Sequence, residues 1–138
     1  MTVYLDTSVI LRILFREGNP ISVWKKWDKA YSSALWRVEA LRTTDRLRLT
    51  QEITDIEVAA LVREIQVIDD TLAICAIDEK ILQRAGETFP TVVGTLDAIH
   101  LASALKIREF DALDALLTHD LQLATAARSL GFAVIGAA

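Results

Sequence analysis

The sequence predicts an α/β fold: a mostly parallel central sheet of four to five strands, flanked by helices on both faces. Three observations carry that expectation. Short apolar, β-prone runs such as Val3-Tyr4-Leu5 alternate with longer segments whose apolar residues fall at helical spacing. The strand candidates are short and mostly apolar, as in sheets buried on both sides. Only five Gly and two Pro occur in 138 residues, and no repeat, low-complexity stretch or linker interrupts the alternation, so one domain over residues 1–138 is expected.

In chain order, Val3 to Leu5 is the first strand, and the VILRILF segment after Asp6-Thr7-Ser8 continues as a helix. Asn19-Pro20 signals a helix start, with Asn as cap and Pro in the first turn, and predicts a helix through Trp24 and Trp27 to about Ala30. Tyr31–Leu35 is the second strand candidate. Residues 36–48 and 52–66 read as two helices, the second with Ile53, Ile56, Ala60, Leu61 and Ile65 on its apolar stripe. Leu72–Ile77 is a third strand. Asp78 caps a helix to about Phe89, closed by Pro90. Thr95 caps the helix 96–108, Ala112–Thr118 forms a fourth strand, and His119-Asp120 opens a last helix that stops at Gly131. Phe132–Ile135 is a short final strand.

Composition narrows the function. Charged residues are 25% of the chain, ordinary for a globular protein, and no apolar run approaches the roughly 18–20 residues that span a bilayer. The N-terminus lacks a signal-peptide pattern and is broken by Asp6 and Arg12. The single Cys75, in the apolar run LAICAI, reads as a buried, inert thiol and permits no disulfide within the chain, so a cytoplasmic location is expected. The net charge of −4 is uneven: residues 1–50 hold nine Lys and Arg against five Asp and Glu, and residues 51–138 hold six against fourteen. The basic third suits either a polyanion or a solvated helix face. The acidic remainder argues against a broad nucleic-acid coat.

The informative feature is where four acids fall. Asp6 follows the first strand directly, and Asp120 follows the fourth by about one residue. If the strands are parallel, both carboxylates sit at the same edge of the sheet, where α/β proteins bind ligands. Asp97 lies in the first turn of its helix and Glu39 near the start of the helix after the second strand. Taken singly, each fits a helix cap or a solvated helix acid. Asp6 and Asp97, however, are embedded in apolar sequence, where a carboxylate is costly unless paired or metal-bound. Carboxylates gathered at one sheet edge repel each other, and a hard divalent cation, Mg²⁺ or Mn²⁺, resolves that repulsion.

The segments VYLDTSVIL, WRVEALR, GTLDAIHLASAL and LLTHDLQLATAARSLGFAVI, in this order, resemble the PIN-domain ribonucleases, above all the VapC-type toxins of bacterial toxin–antitoxin pairs. The resemblance covers essentially the whole chain. It implies a Mg²⁺- or Mn²⁺-dependent endoribonuclease leaving 5′-phosphate and 3′-hydroxyl ends, with Asp6, Glu39, Asp97 and Asp120 as the catalytic quartet. It makes Asp6, Asp97 and Asp120 metal ligands, and Glu39 a ligand, directly or through water, or a guide for the nucleophile. Thr7 and Thr118 match polar positions beside the family's site, where they would orient the carboxylates or serve only as local backbone caps. An RNA substrate, a cognate antitoxin and a homodimer, with no membrane partner, are implied, the helices over about 36–66 resembling the region that dimerises and receives the antitoxin.

Other residues are less decisive. His100, one turn after Asp97, and His119, beside Asp120, read as helix-face or loop histidines that could touch substrate. Trp24 and Trp27 suit core packing, base stacking or a partner groove. Arg12, Arg16, Lys25, Lys26, Arg42 and Arg46 are candidates for phosphate contact. Competing enzyme classes fit poorly. A receiver domain wants a lysine after a late strand, whereas the last lysine, Lys106, lies within a helix. A haloacid-dehalogenase-type phosphatase needs a second Asp where Ser8 stands, and no glycine-rich phosphate loop occurs. The non-enzymatic alternative is a degenerate PIN domain that only binds RNA or protein, against which the intact quartet argues.

Overall fold

The computed structural model describes residues 1–137. Its elements, in order, are β1 (Thr2–Leu5), α1 (Thr7–Leu14), β2 (Lys29–Ser33), α2 (Leu35–Leu49), α3 (Asp55–Asp70), β3 (Ala73–Cys75), α4 (Glu79–Ala85), α5 (Thr95–Arg108), β4 (Ala115–Leu117), α6 (Leu121–Ser129) and β5 (Val134–Ile135). The five strands form one sheet in the order β3-β2-β1-β4-β5. Every pairing is parallel, so the sheet is wholly rather than mostly parallel.

The period-two geometry of β1 divides the core into two layers. Val3 and Leu5 point to one face, where Val9, Ile10, Leu14, Trp36, Ala40, Ile65 and Ile68 of α1, α2 and α3 cover them. Tyr4 points to the other, against Leu101, Ala104 and Ile107 of α5 and Leu123, Ala126 and Ala127 of α6. Helices thus flank both faces, as expected, and the apolar strands need no solvated side. The connection from α2 to α3 is fastened by Trp36, whose indole N–H donates to Asp69 (3.0 Å), with Arg37 pairing to the same carboxylate at 3.1 Å.

The helix expected from Asn19-Pro20 to about Ala30 does not form. Turns and bends occupy residues 22–28, and β2 begins at Lys29. Lys25 takes φ 63°, outside the helical region, and the local bonds Trp24 N–H to the Ile21 carbonyl and Lys26 N–H to the Val23 carbonyl span three residues rather than four. Tertiary burial of Ile21 and packing of Trp24 and Trp27 against the core override the cap-and-proline signal. Several boundaries move as well. The fourth strand spans only 115–117 and the third 73–75. α4 stops at Ala85 with Gly86 as its cap, well before Phe89. Gly94 caps α5, and Thr95 is its first helical residue. The third helix runs over 55–70 behind a full capping box, Thr54 with Glu57. Gly131 stands at φ 88°, the left-handed stop expected after α6.

Candidate functional site

The parallel register Leu5 with Leu117 puts the ends of β1 and β4 side by side. Residues just beyond them, Asp6-Thr7-Ser8 and Thr118-His119-Asp120, therefore meet at one sheet edge. The Asp6 N–H continues the ladder to the Leu117 carbonyl at 3.0 Å.

Asp6 stands at the cap position of α1, yet its side chain makes no capping bond. It is 4% exposed and is held by hydroxyls instead. Ser8 Oγ donates to Asp6 Oδ2 at 2.6 Å, and Thr118 Oγ1 donates to the same oxygen at 2.8 Å. Thr118 Oγ1 also accepts from the Asp120 N–H at 3.0 Å, so one hydroxyl links two of the acids. Asp120 spends Oδ1 on capping α6 through the Leu123 N–H and is otherwise exposed. It is both helix cap and member of the cluster, roles the sequence left as alternatives.

Glu39 projects from α2. Its Oε1 accepts from Thr7 Oγ1 at 2.7 Å and lies 2.8 Å from His100 Nε2. Asp97, in the first turn of α5, is half-buried. Its pKa is raised to about 6, first by desolvation and then by the negative charges of Asp6, Asp120 and Glu39, against a smaller lowering by His100. Three carboxylates from other parts of the chain therefore act on Asp97.

The donor set suits a hard divalent cation: all carboxylate oxygens, and at Asp97 a charge that burial and its neighbours disfavour. Among the described residues, no three His, Cys, Asp or Glu side chains already stand in an arrangement that could hold a metal ion. The fit is therefore one of donor type and charge.

The remaining sequence candidates fall differently. His100, expected on a helix face or in a loop, lies on the fully buried face of α5. Tyr4, Thr7, Glu39 and Asp6 surround it. The clue in the sequence was a polar ring within the apolar run AIHLASAL, the same clue that singled out Asp97. Ser8 is a further prop of Asp6 that the sequence does not mark. His119 lies over the C-terminal strand, its Nδ1 3.2 Å from the Gly136 carbonyl oxygen. Trp24 and Trp27 pack edge to face at 5.2 Å against the α1 side of the core. Arg12 reaches the Asn19 carbonyl and Arg42 pairs with Asp45, while Arg16, Lys25, Lys26 and Arg46 are exposed. Cys75 is half-buried rather than buried, and desolvation pushes its thiol up, which lowers its thiolate fraction.

The family model of the PIN domain matches residues 3–129. The chain belongs to the PIN-domain family. A ribonuclease VapC46 of Mycobacterium tuberculosis is 32% identical over 136 residues, covering 96% of this chain and 95% of that protein. A ribonuclease VapC47 of the same species is 28% identical over 138 residues, covering 94% and 93%. A toxin–antitoxin complex from Klebsiella pneumoniae contains a chain that superposes with a TM-score of 0.66 at 16% identity, covering 96% of this chain and 95% of its own, a likeness of fold. The PIN domain of this chain thus carries all four acids within the matched region, gathered at one end of its sheet.

Proposed function

We propose that this PIN domain, one domain over residues 1–138, is a Mg²⁺- or Mn²⁺-dependent endoribonuclease, the toxin of a toxin–antitoxin pair. The observation that carries the reading is the convergence of Asp6, Glu39, Asp97 and Asp120 at the carboxyl end of the parallel sheet, with Asp97 driven to about 6 by burial and by the other three. The names of the mycobacterial relatives support ribonuclease activity, and the Klebsiella complex supports an antitoxin partner.

Asp6, Asp97 and Asp120 hold the cation in this reading. When bound, it offsets charge on the scissile phosphate and acidifies the attacking water. The protein's own groups do the positioning. Ser8 and Thr118 both fasten Asp6 Oδ2 and so would hold the carboxylate in place for the cation. Asp120, tied down through Oδ1 at the α6 cap, offers Oδ2. Glu39 is fixed through Oε1, so that Oε2 is the oxygen that accepts a proton from water. No side chain serves as covalent nucleophile. Thr7 and Thr118 orient the carboxylates. The substrate is RNA, and the place of action is the cytoplasm; among the described residues no helix is long and apolar enough to cross a membrane. The antitoxin and a second copy of the chain meet the α2–α3 region, where Val38, Leu41, Ile56, Val62 and Val67 are exposed.

The test is incubation of the purified protein with total RNA and Mg²⁺, with mapping of the cut ends. Wild type is expected to cut only with the cation. Asp6→Asn and Asp97→Asn are expected to leave RNA intact with an unchanged circular-dichroism spectrum. Full activity in either variant refutes the assignment.

A further inference from the structure

The buried His100 has no part in the reading above, yet it occupies the centre of the polar network. The ring is held from both ends. Nδ1 lies 2.8 Å from the hydroxyl of Tyr4, a residue of the central strand that is itself 0% exposed. Nε2 lies 2.8 Å from Glu39 Oε1, 3.0 Å from Thr7 Oγ1 and 3.6 Å from Asp6 Oδ1. Those contacts decide where the ring proton sits. The Tyr4 phenol keeps its proton, since desolvation and the nearby Asp6 charge push its pKa well above the ordinary value. With Tyr4 donating, Nδ1 is an acceptor and the neutral ring carries its proton on Nε2. In the charged ring both nitrogens carry protons. Nε2 therefore bears a proton in either state. The tautomer without it would aim a lone pair at a carboxylate 2.8 Å away.

We infer that His100 is a positioning residue for Glu39: its Nε2–H, oriented by Tyr4, joins Thr7 in clamping Glu39 Oε1 and so fixes the direction in which the free carboxylate oxygen faces. Three elements take part. β1 supplies Tyr4, α5 supplies the ring, and α1 supplies Thr7, all converging on a side chain from α2. Outer partners of this kind typically change activity about 10–100-fold when removed.

The inference rests on the ribonuclease reading for its kinetic consequence but not for its geometry, so two measurements keep them apart. The first needs no activity. In ¹⁵N-labelled wild-type protein the His100 Nε2 should show the shift of a protonated nitrogen. The Glu39 side-chain carboxyl ¹³C resonance should move in His100→Phe and return towards wild type in His100→Gln, whose amide restores an N–H at the same reach. A ring found protonated on Nδ1 alone, or a Glu39 resonance indifferent to His100→Phe, overturns the clamp. The second is RNA cleavage. His100→Phe, which keeps the volume, should lose about 10–100-fold in kcat with little change in KM, and His100→Gln should recover most of it. Wild-type kcat in His100→Phe overturns the positioning role. If His100→Phe fails to fold, Tyr4→Phe gives the same readings, with a milder kcat loss expected and an unchanged Glu39 resonance and kcat overturning the relay. An inactive wild type, or an active Asp97→Asn, would refute the ribonuclease reading and leave the resonance experiment to decide the clamp.

Discussion

Replacing Asp97 by Asn should abolish cleavage and yet make the cation-free protein more stable. The reason lies in the cost of gathering the carboxylates. Asp97 titrates at about 6 rather than the ordinary 3.8 because burial and three acidic neighbours disfavour its charge. A displacement of that size corresponds to about 3 kcal/mol at full strength, at roughly 1.4 kcal/mol per pH unit. Asp97 is only half-buried, and solvent screening reduces this to about 1–1.5 kcal/mol. Hydrogen bonding does not figure among the influences on Asp97, so Asn forfeits little else. The sign follows from linkage. A carboxyl whose folded pKa is raised binds its proton more tightly in the folded state. The penalty is therefore absent below about pH 4, grows between about 4 and 6, and is complete above that range. Thermal unfolding in EDTA at pH 8 should give Asp97→Asn a melting temperature about 2–5 °C above wild type, shrinking towards zero at pH 4. Millimolar Mn²⁺ should reverse the order by stabilising wild type selectively, because a ligand that binds only the folded state adds its binding free energy. An Asp97→Asn variant no more stable than wild type at pH 8, or one whose advantage grows on acidification, refutes the reasoning.

Three further outcomes are expected. Thr118→Val keeps the shape of the side chain but strips the hydroxyl that serves both Asp6 and the Asp120 N–H; it should cost about 1–3 kcal/mol in urea unfolding and about 10–100-fold in kcat, and wild-type kcat would contradict its role. Gly136→Ala should destabilise the chain by at least about 1 kcal/mol, measured by the same unfolding, because Gly136 sits at φ 109° and a Cβ there would come within 2.6 Å of the Thr118 carbonyl oxygen; a neutral substitution would show that the β5 tail does not press on the site. Trp36→Phe removes the indole N–H from the buried Asp69 and should cost about 1–3 kcal/mol by chemical denaturation with cleavage unchanged, whereas a loss of activity without a loss of stability would mean that the α2–α3 fastening serves the site instead.

What the sequence disclosed, and what it hid, divides along local and through-space physics. The apolar Val3-Tyr4-Leu5 run and the carboxylates at strand ends could be read directly, because a parallel sheet obliges strand ends to coincide. The Asn19-Pro20 helix misled because its signal is local, whereas the fate of that segment was decided by Ile21 and the tryptophans finding the core. The Thr54–Glu57 capping box is present in the residues, and α3 begins at Asp55, three residues later than the apolar spacing suggests. Glu39 was legible mainly through family resemblance, since nothing in its neighbours marks it; its partners Thr7 and His100 lie 32 and 61 residues away. His100, read from the sequence as a helix-face or loop histidine that could touch substrate, is instead buried against Glu39. Its apolar flanks announced a buried polar group, but only the tertiary structure names the tyrosine and the carboxylate that share it.

The position of β1 at the middle of the sheet also governs when the nuclease comes into being. Asp6 is made first, and one of the two hydroxyls that hold it, on Thr118, follows 112 residues further along the chain. The strand that brings Thr118, β4, pairs directly with β1. Closing so long a loop is entropically slow, and contacts of this separation form late in folding. A ribosome still carrying the nascent chain therefore displays an incomplete centre until β4 and Thr118 have emerged. The topology that unites the acids also delays their union, so the nuclease centre is competent only once β4 has docked beside β1.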